Sequence, residues 1–152
     1  MDIRSVQAAI NNCKGLCVEI GGPTPHGYEF IRELGLTLPA NILVTNISNP
    51  VTLNPFGENP EQHHVDAVID IQHLPYKKGS VDMIITSSLP HKLHKTLLTE
   101  SAKVLRESGL LVIENEQPED KELANQSNFE PLLDTKIANR FHSQIYQLVG
   151  IA

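Results

Sequence analysis

The sequence predicts an α/β fold, a mostly parallel sheet with helices on both faces. Short apolar runs alternate with stretches whose apolar residues recur at steps of three and four, over roughly the first 115 residues. Glycine and proline mark the boundaries between them. The chain has 152 residues, 40% of them hydrophobic and 20% charged, enough for one real core and too few for two. Residues 1–152 therefore read as a single domain.

Each element follows from its residues. Ile3, Val6, Ile10 and Cys13 share one face of an amphipathic helix, which Asn11, Asn12 and Gly15 can end. Leu16–Ile20 is a short apolar run cut off by Gly21-Gly22-Pro23, the length and punctuation of a buried strand. Residues 26–34 read as a helix using Tyr28, Ile31 and Leu34 and closed by Gly35. A second strand follows at 41–47. Residues 48–64, broken by Pro50, Asn54, Pro55, Gly57, Asn59 and Pro60, read as a long loop of the functional or mobile kind. Residues 65–71 and Val81–Thr86 are the third and fourth strands. Ser87-Ser88-Leu89-Pro90 reads as a helix start, with a serine N-cap and a proline in the first turn. Leu93, Leu97, Leu98, Val104 and Leu105 form that helix's apolar stripe, Gly109 ends it, and residues 110–114 make a fifth strand. Residues 118–125 read as a short helix, and 132–138 and 143–151 as an antiparallel pair of strands.

Several function classes fall away. No apolar run approaches the ~20 residues of a membrane helix, and Met1-Asp-Ile-Arg-Ser5 shows no secretory signal. A soluble, cytoplasmic protein is expected. Two cysteines, Cys13 and Cys17, do not make a disulfide scaffold and are explained by packing. Eighteen acids against twelve lysines and arginines leave a net charge of −6, which disfavours nucleic acid as partner. The middle of the chain is mildly basic through Lys77, Lys78, Lys92, Lys95, Lys103 and Arg106, a scatter that reads as a solvated helix face. Of the seven histidines, His63, His64, His73, His91 and His94 lie near the expected ligand edge. They do not form a motif with three or four convergent ligands, and no metal is expected.

In such sheets the ligand sits outside the carboxyl ends of the strands, so the residues after each strand are the ones to weigh. Gly21-Gly22-Pro23 after strand one is either a plain tight turn or a backbone approach to a ligand. Pro23 and His26 stand where the dinucleotide pattern needs glycine, and no phosphate-binding lysine loop occurs. Asn46, after strand two, is either a turn former or a partner for ribose hydroxyls. No glycine-flanked serine elbow surrounds Ser87 or Ser88.

The segment from Val68 to Ser88 sharpens this. Asp70 is followed by Leu74-Pro75-Tyr76, then Gly79-Ser80-Val81-Asp82, then a strand ending in Thr86-Ser87-Ser88. Leu105-Arg106-Glu107-Ser108-Gly109 leads into the fifth strand, and Val18-Glu19-Ile20-Gly21-Gly22 closes the first. Together these resemble class I S-adenosylmethionine-dependent methyltransferases over about residues 16–115, in order and spacing. The resemblance implies a Rossmann-like, mostly parallel seven-stranded sheet with an antiparallel last strand and helices on both faces. It implies S-adenosyl-L-methionine as cofactor and methyl transfer to an N, O, S or C atom of an unidentified acceptor. Glu19 and the backbone of Gly21, Gly22 and Pro23 would cradle the methionine end. Asn46 would stand at the ribose, where the family usually has an acid, and Ile47 at the adenine. Asp70 would accept from the adenine amino group and the Ile71 N–H would reach a ring nitrogen. Ser87 and Ser88 would line the floor near the methyl group, while Asp82 is structural. Either His91 or His94 can act as a general base beside the methyl group.

Two departures from the family pattern stand in the first loop and at strand two. Pro23 and Pro25 replace motif glycines and remove N–H donors, and Asn46 replaces the acid. They leave an alternative open: a methyltransferase-like protein that binds a nucleoside ligand or a protein partner without transfer. With nearly every residue assigned to the sheet, its helices or its loops, a shallow, open acceptor site is expected, suited to a macromolecular substrate or else completed by a homodimer or protein partner.

Overall fold

Seven strands form one sheet in the order β5-β2-β1-β6-β7-β9-β8. The computed structural model describes residues 1–24, 28–53, 56–87 and 89–150. The elements are α1 (Ile3–Asn11), β1 (Leu16–Ile20), α2 (Glu29–Glu33), β2 (Ile42–Asn46), β3 (Val51–Leu53), β4 (Glu61–His63), β5 (Ala67–Val68), β6 (Val81–Thr86), α3 (His94–Val104), β7 (Leu105–Glu114), α4 (Pro118–Gln126), β8 (Phe129–Pro131), α5 (Thr135–Phe141) and β9 (Ser143–Leu148). Strands β5, β2, β1, β6 and β7 are mutually parallel, and β9 runs antiparallel between β7 and β8. From β1 the chain builds outward through β2 to β5, then returns to lay β6 and β7 on the other side. The order thus reverses between β1 and β6, the place where open α/β sheets hold ligands.

Alternate strand residues feed two cores. Cys17, Met83, Ile85, Leu110 and Val112 pack against Val6 and Ile10 of α1, Phe30 and Ile31 of α2 and Ala138 of α5. Val18, Ile84, Leu111 and Ile113 pack against Leu97 and Leu98 of α3 and Ala124 of α4. A sheet apolar on both faces is what five parallel strands require, since their crossovers return over either face. At the amino end of the sheet, Asp82 accepts from Gly15 N at 2.7 Å and pairs with Arg106 at 3.0 Å. Asp82 is structural, as expected.

The structure corrects five sequence expectations. Residues 48–64 are not only loop: β3 and β4 pair as an antiparallel ribbon, Val51 opposite His63. The third strand is cut to Ala67–Val68, because Asp70 turns its side chain back onto Gln72 N at 3.0 Å and starts a 3-10 turn, Ile71–His73. The helix after β6 begins at His94, behind a 3-10 turn at His91–Leu93, with no side-chain N-cap. Ser88 lies outside the described residues. Leu105 belongs to β7, not to the helix, and pairs with Val81. Gly109 therefore lies inside a strand, where a Cβ would come within 2.8 Å of the Arg106 carbonyl. Finally, 132–138 is mostly helix: Asp134 caps α5 by accepting from Lys136 N at 2.9 Å. The strand that pairs with the outer edge of β9 is Phe129–Pro131.

Candidate functional site

The carboxyl end of β1 is tied on both sides by threonines. Thr45 of β2 donates to the Glu19 carbonyl at 2.6 Å, and Thr86 of β6 donates to the Ile20 carbonyl at 2.8 Å. These bonds hold the last residues of β1 where the chain turns at Gly21, whose φ of +76° suits glycine. Gly22 N then donates to the Thr45 carbonyl at 3.0 Å.

Glu19 sits beneath that turn and is only 7% exposed. Its Oε2 accepts from the Tyr28 hydroxyl at 2.9 Å, and Thr24 donates to the same Tyr28 oxygen at 3.3 Å. Its Oε1 is closed to water and has no partner among the described residues. That oxygen fills the space a Cβ on Gly22 would need. Burial holds the Glu19 carboxyl above the usual carboxylate range, with the Tyr28 hydroxyl and the nearby Thr24 N–H pulling the other way. Burial likewise pushes the Tyr28 phenol up, reinforced by the Glu19 charge.

Asn46, the last residue of β2, is spent on the same turn. Its Nδ2 donates to the Gly22 carbonyl at 2.8 Å and its Oδ1 accepts from Ile47 N at 2.7 Å. Ile47 beyond it is 68% exposed. Ile69 N bonds to the Asn46 carbonyl at 2.9 Å, which brings exposed Asp70 and buried Ile71 to the neighbouring edge. Across β1, Ser87 is 8% exposed, and its carbonyl accepts from Asn115 at 2.9 Å. So Glu19, Gly21, Gly22, Pro23 and Asn46 gather in one knot. Asp70 and Ile71 lie to one side along the same edge, and Ser87 to the other.

Sequence reasoning misses four participants. Tyr28 was read only as a core residue, Thr45 and Thr86 only as strand residues, and Glu114 only as a strand end. Nothing local marks Tyr28; its role depends on α2 folding back over β1. Glu114 is half-buried, with Oε2 lacking a partner among the described residues. Burial raises its carboxyl, with the nearby Ser87 hydroxyl pulling the other way.

Of the two histidines weighed as bases, His94 is engaged at both ring nitrogens. His94 is 2% exposed, its Nδ1 2.7 Å from Asp120 Oδ2 and its Nε2 3.2 Å from the Leu89 carbonyl. Both partners accept, so both ring nitrogens must donate, and no lone pair remains. His91 meets the Gln117 amide at 3.0 Å. Among the described residues, no group of three or more His, Cys, Asp or Glu could hold a metal ion. No helix of the described residues is long and apolar enough to cross a membrane. A groove of about 690 Å³ lies away from the site, between His73, Tyr76 and the carboxyl-terminal halves of α3 and α4.

Comparison with known proteins agrees with this architecture. A family model described as a methyltransferase domain matches residues 26–113. A chain from the complex between the Haloferax volcanii Trm112 methyltransferase activator and a methyltransferase superposes with a TM-score of 0.55 at 12% identity, over 97% of this chain and 89% of that one. A Mesorhizobium loti S-adenosylmethionine-dependent methyltransferase gives 0.52 at 13% identity, over 95% and 96%. The Burkholderia thailandensis 1,6-didemethyltoxoflavin N1-methyltransferase, solved with S-adenosylhomocysteine, gives 0.52 at 13%, over 97% and 78%. At these identities the likeness is one of fold. No curated protein sequence matches the chain.

Proposed function

The chain belongs to the methyltransferase-domain family, and on that premise we propose that it is a single methyltransferase-like domain. It binds S-adenosylmethionine at the carboxyl edge of its sheet and transfers the methyl group to a separate acceptor. One observation carries the reading: Glu19 Oε1, buried and without a partner among the described residues, lies under the Gly21-Gly22 turn beside the point where strand order reverses. An unpaired carboxylate oxygen in a dry site is costly, and a ligand with a cationic end supplies what it lacks.

In this reading Glu19 and the backbone of Gly21, Gly22 and Pro23 hold the methionine end. Asn46 positions the turn beside the ribose, and exposed Ile47 offers an apolar face to the adenine. Asp70 keeps Oδ2 for the adenine amino group, since Oδ1 is taken by Gln72 N, and the Ile71 N–H faces a ring nitrogen. Ser87 and Ser88 floor the methyl end. The cofactor, when bound, supplies an electrophilic methyl carbon. The chain's own task is to orient that carbon toward the acceptor and keep water away.

Titration calorimetry with S-adenosylmethionine, with NAD as control, tests this. Heat is expected with the first and none with the second. Silence with S-adenosylmethionine, at protein concentrations able to register micromolar binding, overturns the reading.

One observation favours a second reading, a non-catalytic protein that binds a nucleoside ligand or a protein partner. Both ends of the Asn46 carboxamide are engaged by backbone, so no free acid clasps the ribose. Radiolabelled methyl transfer, measured once cofactor binding is established, separates the two.

A further inference from the structure

Glu19 has a counterpart across the sheet. Cys17, Ile85 and Val112 face the α1–α2–α5 layer, so Glu19, Ser87 and Glu114, two residues further along their chains, face it too. Strand β6 separates β1 from β7, so the two strands lie about 10 Å apart, and the register places Glu19 level with Val112 and Glu114 two residues further toward the carboxyl edge. Tyr28 feels the charge of both, so the three share one neighbourhood.

Glu114, half-buried, is only partly answered by its neighbours. Its Oε2 is closed to water without a donor among the described residues. It forms no ion pair with a described lysine or arginine. The groups whose charge or hydroxyl it feels are Ser87 just after β6 and Glu29 and Arg32 of α2, Arg32 being a cation that makes no ion pair with it, and its own charge reaches Tyr28. An acid so placed is stabilised by an arriving cation far more than by a neutral group. Glu19, on the β1 side, is assigned to the cofactor. Glu114 lies beyond β6, on the far side of Ser87 from Glu19, and in the methyl-transfer reading this is the side left for the acceptor.

We propose that Glu114 is the acceptor-side carboxylate of the site, and that the acceptor is an amine held there as its ammonium ion. This rests on the methyl-transfer reading. Glu114 takes one proton from the ammonium. The freed nitrogen lone pair forms the new N–C bond to the methyl carbon as the C–S bond breaks, its electron pair staying on sulfur. The products are an N-methylammonium and a neutral thioether, and Glu114 returns its proton to solvent. Burial, which raises the Glu114 carboxyl, makes it the stronger base for this purpose.

Ligand-observed NMR on the protein saturated with S-adenosylhomocysteine tests the proposal, with small alkylamines, carboxylic acids and phenols as probes. Amines should bind in preference to the other two classes. Glu114→Gln should weaken amine binding about tenfold or more while affinity for S-adenosylhomocysteine stays within about twofold. Should the glutamine variant lose S-adenosylhomocysteine as well, Glu114→Asp, which keeps the charge but withdraws it, takes its place and should weaken amines about threefold. Preference for acids or phenols, no bound probe at all, or amine binding indifferent to these substitutions overturns the proposal. Failure of the unaltered protein to bind S-adenosylhomocysteine brings down the methyltransferase reading, and this proposal with it.

Discussion

The carboxamide of Asn46 donates a 2.8 Å hydrogen bond to the carbonyl oxygen of Gly22, tying the end of β2 to the turn after β1. An aspartate at this position keeps the bond from Ile47 N but loses the donor, and sets a carboxylate oxygen against a carbonyl. Asn46→Asp is therefore expected to lower stability by about 1–2 kcal/mol. Although related methyltransferases usually carry an acid here, the substitution should not tighten S-adenosylmethionine binding. Urea unfolding and calorimetry check both halves. An equally stable protein that binds more tightly would show that the carboxamide does not hold the turn.

Gly22 has room for a hydrogen and nothing larger. A Cβ there would overlap Glu19 Oε1 and lie 2.9 Å from Val44 Cγ1. Glu19 cannot swing aside without breaking its bond to Tyr28. Gly22→Ala should cost about 2–3 kcal/mol through overpacking and lose cofactor affinity. Glu19→Ala removes the obstructing carboxylate, so the double variant should recover about 1 kcal/mol relative to the sum of the single losses. Simple additivity in a denaturant-unfolding cycle would place the strain elsewhere.

Asp82 makes the opposite case, a carboxylate whose loss should leave the site untouched. It lies at the amino end of β6, where it accepts from Gly15 N and pairs with Arg106. Arg106 also donates to the Asn12 carbonyl at 3.0 Å, linking the end of α1 to β7. Asp82→Ala should cost about 1 kcal/mol, because the bond to exposed Gly15 and the partly exposed ion pair are both open to water. Cofactor affinity should be unchanged by calorimetry, and a weakened one would mean that the two ends of β6 are coupled.

The parts of the fold legible from sequence are those where local pattern and burial agree. Leu16–Ile20 and Val81–Thr86 are apolar on both faces and end in glycine or serine, and both have the predicted bounds. Pro118 and Asp120 mark α4 because a proline and a first-turn acid suit a helix start. Where neighbours decide the outcome, the pattern misleads. Leu132 and Leu133 look like a strand but are core residues leading into α5, whose start depends on the Asp134 cap. The β3–β4 ribbon has three residues a side, too few for the Val51-Thr52-Leu53 alternation to announce it, and its partner Glu61-Gln62-His63 is polar. In the site, the glycine turn and Asp70 are marked by motif. Tyr28 and Glu114 are not, because their roles arise only when α2 closes over the ends of β1 and β7.

His94 and Asp120 form a buried pair that sequence order does not disclose, since they lie 26 residues apart on α3 and α4. The His94 pKa is raised above its ordinary value of about 6.5, chiefly by the hydrogen bond to Asp120, with burial opposing. Glu116, in the turn before α4, adds to the same effect. A group whose pKa is higher folded than unfolded lends its full stability below the unfolded pKa, and loses it as pH rises through the folded one. His94→Ala also leaves Asp120 buried without its cation, so about 3–5 kcal/mol should be lost near pH 6. The gap between His94→Ala and the unaltered protein should then narrow as pH climbs above neutral, because the unaltered protein gives up its own charged pair. Urea unfolding at a series of pH values measures that gap directly. A gap constant with pH would mean that the ring is neutral in the folded protein, and that one of its two nitrogens faces an acceptor without a proton to give.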